Sequence, residues 1–114
     1  MLDTKKFSEF PHAQHEHMNL LLTCFTICSS CSKMCLEEGH KESAALCQDC
    51  ADVCSLAIQL HSRDSEFSDA IMLLCAEVCR RCSEVCSQMK AKHCQQCSDI
   101  CKQCALACDN IDNK

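Results

Sequence analysis

The sequence predicts an all-α fold: an antiparallel, up-down bundle of four helices with its cysteines turned toward the lumen. Three observations predict it. The 16 cysteines fall into four groups, and every step within a group is three or four residues, the period of one face of an α-helix. A single Gly and a single Pro in 114 residues leave almost no turn punctuation, which favours long helices over a loop-rich scaffold. The stretches between groups are short, so consecutive helices are expected to be antiparallel neighbours. A chain of this length forms one domain, 1–114.

The elements follow in order. A short helix over about 4–9 is expected ahead of the bundle. The first long helix is expected over 12–38, with Pro11 in its first turn and Gly39 ending it in a left-handed conformation; it carries Cys24, Cys28, Cys31 and Cys35. The second, 41–62, carries Cys47, Cys50 and Cys54. The polar run Ser62-Arg63-Asp64-Ser65 separates it from the third, 65–88, with Asp64 or Ser65 as the N-cap and Cys75, Cys79, Cys82 and Cys86 on its face. Met89-Lys90-Ala91-Lys92 leads into the fourth, 92–110, with Cys94, Cys97, Cys101, Cys104 and Cys108. The first and third groups share the steps 4-3-4 and the other two both begin 3-4, the pattern of a duplicated helical hairpin.

A heptad register places the cysteines at positions a and e of every helix. Position d then holds Leu20, Ile27 and Met34; Leu46, Val53 and Leu60; Ile71, Val78 and Val85; and His93, Ile100 and Ala107. Three core positions per heptad make an ordinary buried face, so the d residues are expected to seal the helix contacts while the thiols face inward. Without its cysteines the chain is only about a third apolar, thin beside the usual roughly 45–50%. Cysteine stands where leucine would normally sit.

One or two such cysteines would read as small hydrophobes. Sixteen in register would make an underpacked, costly core if packing were their only role. Helical neighbours have Cβ atoms about 5–6 Å apart, too far for a disulfide, which wants about 3.8 Å. The same spacing suits a metal ion between two sulfurs. Thiolates select copper(I), zinc or iron–sulfur clusters. Charge separates these: four zinc ions would offset only half the charge of sixteen buried thiolates, whereas one monovalent copper(I) per thiolate leaves the lumen neutral, on the order of fifteen ions per chain. Zinc also prefers closed tetrahedra, and an evenly spaced rail has no natural grouping into fours. Iron–sulfur or zinc coordination and a thiol redox regulator are the alternative readings.

The same register places His17, His40, His61 and Met72 on the lumen face. With antiparallel helices, His17, His61, Met72 and Cys108 gather at one end, a candidate entrance with weaker, exchangeable ligands. His40 and His93 lie at the other end, near Cys35, Cys86 and Cys94. His12, His15 and Met18 fall outside the register, at the surface or at the same entrance.

The net charge of −5 argues against nucleic acid as a partner. The N-terminus lacks an apolar signal core, and no stretch approaches the ~20 apolar residues of a membrane span. The expected compartment is the reducing cytoplasm, where thiols stay free. No nucleophile–base arrangement or phosphate-binding glycine loop points to an enzyme.

Taken together, the four rails, Cys35-Leu36-Glu37-Glu38 closing the first and His93-Cys94-Gln95-Gln96-Cys97 opening the last, resemble the cytosolic branch of the bacterial copper storage proteins over about residues 12–110. The resemblance implies a homotetramer of cysteine-lined bundles filled with copper(I). It also implies one open end with histidine or methionine ligands and one end closed by bulkier side chains. A copper-delivering or copper-accepting protein is a further expected partner.

Overall fold

The structure is a computed structural model; it describes residues 6, 8–10, 12 and 15–111, the last by its backbone alone. Four helices follow one another: α1 (Glu16–Glu37), α2 (Lys41–Ser62), α3 (Ser68–Ser87) and α4 (Lys92–Ile111). No strand occurs among the described residues. The helix expected over 4–9 falls largely outside them, as does Pro11. α1 starts later than position 12, because His15 is extended (φ −79°, ψ 136°) and Glu16 is its first helical residue.

The turns explain the helix ends. Gly39 has φ 84°; its N–H donates to the Leu36 carbonyl and that of His40 to Cys35. This paired cap needs one left-handed residue, and Gly39 supplies it as expected. α2 ends in the same way on Asp64, with φ 53°, while the N–H groups of Asp64 and Ser65 donate to His61 and Leu60. Asp64 therefore closes α2 rather than capping α3. Ser65 accepts from the Phe67 N–H, one turn ahead of the first helical residue, Ser68. Between α3 and α4 the Gln95 amide donates to the carbonyls of Ser87 and Met89, a stop supplied by a side chain where no glycine is available.

All sixteen cysteines lie in the core, none more than 2% exposed. The row beside them is only partly the one the register favours. Of the d residues, Ile71 and Ile100 are buried, Leu20, Ile27, Leu46, Val53, Leu60 and Val78 are half-buried against the core, and Met34 is exposed. At position b, one residue after a, sit Ala44, Ala51, Ala76, Ser98 and Ala105, all buried. Small side chains there let helices approach in pairs. Ser32 donates its hydroxyl to the Ala44 carbonyl, and the Ser83 and Ser98 hydroxyls reach each other and each other's carbonyls. α1 thus packs most extensively on α2 and α3 on α4, with the α1/α4 seam thinnest. The bundle is two tight hairpins clasped over a column of thiols.

By length and mean hydropathy α1 reaches the level of a membrane-crossing helix, contrary to the sequence expectation. Cysteine contributes strongly to that apolarity, and Cys24, Cys28, Cys31 and Cys35 are all turned into the bundle.

Candidate metal centre

The helices bring the thiols into one continuous array. All sixteen are free, and the closest sulfurs are 3.4–4.0 Å apart. Cys24 meets Cys28 and Cys101, each at 3.8 Å. Cys28 meets Cys97 at 3.7 Å and Cys101 at 3.4 Å. On the other side Cys50 meets Cys79 at 3.5 Å, and Cys54 meets Cys75 at 3.7 Å. Cys82 and Cys86 both meet Cys47. Cys104 and Cys108 extend the array past Cys75. Several sets of four sulfurs, such as Cys28, Cys82, Cys97 and Cys101, lie within 4.8 Å of one another. Most sulfurs have neighbours along their own helix and across the lumen, the arrangement bridging thiolates require.

These thiols do not ionise together. Cys24, Cys79, Cys82 and Cys97 are pushed up, first by Cys101. Cys50 is brought down by the same neighbour, Cys86 by Cys31, and Cys104 by Cys108. Near the His93 end, burial is the leading cause that raises Cys35 and takes Cys94 up to about 11. Cys31 falls to about 6, first through Cys47 and then Cys97 and His93, against Cys86 and burial. Neighbouring thiols hydrogen-bond one another, so a metal that binds them displaces their protons.

At one end His17 Nε2 lies 3.0 Å from His61 Nε2, and His61 Nδ1 lies 2.9 Å from the Ser68 hydroxyl. His12 and His15 join them: ring centroids are 4.6 Å apart for His12 and His61 and 5.0 Å for His15 and His17. His12 Nε2 pairs with Asp64 at 2.7 Å, while the Nδ1 atoms of His12 and His15 are buried without a partner. Both off-register histidines thus belong to this cluster, whereas Met18 is core. Met72 is fully buried, on α3 between Ser68 and Cys75. With Leu21 and Ala57, also buried, it forms an apolar collar one turn inside the imidazoles.

At the opposite end His93 lies beside Cys94 as expected, but His40 does not face the lumen: it is exposed and serves the turn through its backbone. Of the larger apolar side chains near this end, Met34 and Leu36 point outward and Met89 packs half-buried against the core. His93 closes this end: Nδ1 is 3.2 Å from Cys31 Sγ and 3.6 Å from Cys94 Sγ, and Nε2 donates to both Glu38 oxygens at 3.0 and 3.1 Å. Burial works against the His93 cation, but Cys31 and Glu38 outweigh it and its pKa is raised.

Residues 11–113 match a sequence model whose description is copper storage protein. This chain belongs to the copper storage protein family. Among relatives, the cysteine-rich protein YhjQ of Bacillus subtilis strain 168 is 35% identical over 94 residues, 79% of this chain and 87% of that protein. Two solved structures share the fold. The Cu(I)-bound copper storage protein BsCsp3 superposes with a TM-score of 0.79 at 32% identity, covering 82% of this chain and 92% of its own. Apo-Csp3, copper storage protein 3 from Bacillus subtilis, gives the same TM-score at 33% identity, with coverages of 83% and 94%. A copper storage protein needs many soft ligands screened from solvent, and the sixteen buried thiols of this member meet that need.

Proposed function

We propose that this chain stores copper(I) without catalysis, binding on the order of fifteen ions on the thiolates of its sixteen cysteines. The observation that carries the reading is the set of sixteen free, buried thiols, the closest pairs 3.4–4.0 Å apart and the rest tied in by overlapping groups of four within 4.8 Å. The copper(I) bound by the similar BsCsp3 structure supports it. Entry is at the His17 and His61 end. There the imidazoles face one another and hand copper past Met72 to Cys75 and Cys108. Residues 1–114 act as one storage domain.

The assembled form is a homotetramer, a state supported by Leu22, Leu36, Leu73 and Leu74, which leave large apolar side chains exposed on α1 and α3. Sixteen free thiols suit a reducing cytoplasm, where a thiol-bearing protein delivers or accepts the copper. The test is anaerobic titration of the reduced protein with copper(I) against a competing chelator. A plateau near the number of cysteines is expected; saturation at about one to four ions, the capacity of ordinary thiolate sites, would overturn the storage reading.

A further inference from the structure

We propose that Cys31, Cys35, Cys94 and His93, at the end of the thiol array, form a tetrahedral site that takes one divalent cation of the zinc class, with Glu38 positioning His93. The four ligand atoms lie within 4.8 Å of one another. With Zn–S near 2.3 Å and Zn–N near 2.0–2.1 Å, a tetrahedron has S···S edges of about 3.8 Å and S···N edges of about 3.6 Å. The structure gives 3.8 Å for Cys31–Cys35 and 3.7 Å for Cys35–Cys94. It gives 3.2 Å for Cys31 to His93 Nδ1 and 3.6 Å for Cys94 to the same atom. Three of these four edges match a zinc tetrahedron, the Cys31 to His93 edge is shorter, and the remaining two lie within 4.8 Å.

The imidazole is set for this role. Both Glu38 oxygens accept from Nε2, so the hydrogen stays on that nitrogen and Nδ1 is the atom turned to the thiols. A carboxylate behind a ligating histidine fixes the ring and raises its basicity, and losing it typically weakens metal binding about 10–100-fold. Glu38 is held in turn by the cap that ends α1, where the Gly39 and His40 N–H groups bind the Leu36 and Cys35 carbonyls.

Charge separates this site from the interior. A divalent ion on four buried thiolates leaves two negative charges in a core with no water to receive them. Three thiolates and a neutral imidazole leave one. Cys94 stands in the first turn of α4, where the helix N-terminus offsets part of the burial that raises its thiol. His93 and Glu38 are partly exposed, at 20% and 42%, so a hydrated cation reaches the site without crossing the array. Cys35 and Cys94 have each other, Cys31 and His93 as their close contacts, while Cys31 also joins Cys47, Cys86 and Cys97, so the set is the last group of the rail and is linked to the next through Cys31.

The proposal shares three thiols with the copper reading but does not depend on copper capacity. Its test is anaerobic titration of the reduced chain with cobalt(II), then displacement by zinc, following the visible absorption of tetrahedral thiolate cobalt. One equivalent is expected to bind first, with a three-sulfur, one-nitrogen spectrum, and zinc is expected to bleach it. His93→Gln should change the spectrum and weaken binding, and Glu38→Gln should weaken it about 10–100-fold while keeping the spectrum. Circular dichroism of both variants confirms the helices. No tight first equivalent, or one whose spectrum and affinity ignore both substitutions, would overturn the proposal. Full copper loading beside that negative result would leave the storage reading intact.

Discussion

At one end of the lumen four imidazoles crowd together, and two of them bond to each other, Nε2 to Nε2. At the other end a single imidazole is held on both sides, by Glu38 and by thiols. The residue type is the same and the partners differ. A histidine bonded to another histidine gives up that bond readily when a metal arrives, because each ring then keeps a nitrogen for the ion. A histidine fixed by a carboxylate is already in its bound orientation. The first arrangement suits exchange and the second retention. Between the histidine cluster and the thiols stand the buried side chains of the collar, Leu21, Ala57 and Met72.

The largest expected effect lies in that collar. Met72→Ala should destabilise the empty protein by about 2–5 kcal/mol, whereas Met72→Leu, which keeps the volume, should cost less than about 1.5 kcal/mol. Chemical denaturation of the reduced proteins measures both; equal small losses would mean that Met72 seals nothing. Next come the imidazoles. His17→Gln with His61→Gln should slow copper(I) uptake about tenfold, a barrier increase of roughly 1.4 kcal/mol, with the final capacity retained. Stopped-flow transfer from a coloured copper(I) chelator follows it, and an unchanged rate would remove this end as the entrance. An effect of similar size belongs to the opposite end. Gly39→Ala meets nothing within 4 Å, so its cost is the left-handed backbone alone, about 1–2 kcal/mol. That corresponds to a fall in melting temperature of roughly 4–16 °C for a domain near this size. No fall would show that the cap ending α1, and with it the fixed placement of Glu38, is not under that constraint.

The rails were legible in the sequence because steps of three and four admit no other regular reading. The neighbouring row was not. Positions d and b both stand about 80° from the centre of the a/e face at 100° per residue, so periodicity treats them alike. Hydrophobicity favoured d, with its Leu, Ile and Val. Size decided for b, where Ala44, Ala51, Ala76 and Ala105 allow close approach. The run of alanines and serines at one register position was the available signal. His93 was placed on d, to the side of the lumen, yet its ring reaches Cys31. Side chains in a first turn lean toward the helix N-terminus, here toward the closing end of the array. Glu38 was visible only as part of a terminal motif, since its partner lies 55 residues away. The sequence offers Asp64 or Ser65 as the cap of the following helix, since aspartate serves at either helix end, and only the backbone angle assigns Asp64 to the close of α2.

The thin seam between the first and last helices has a mechanical consequence. Its crossings are largely sulfur contacts, joining Cys24 to Cys101 over 77 residues and Cys35 to Cys94 over 59. Without metal they are weak S–H contacts, and the Glu38–His93 pair is the stronger tie across this seam, so it is the least fastened edge of the four-helix ring. Each metal ion bridging that edge closes a loop through most of the chain, and closure restrains the open forms of the molecule as a covalent cross-link would. The cargo is thus also the clasp: a filled bundle is a closed ring, and release requires the chain to regain the freedom to part its two ends.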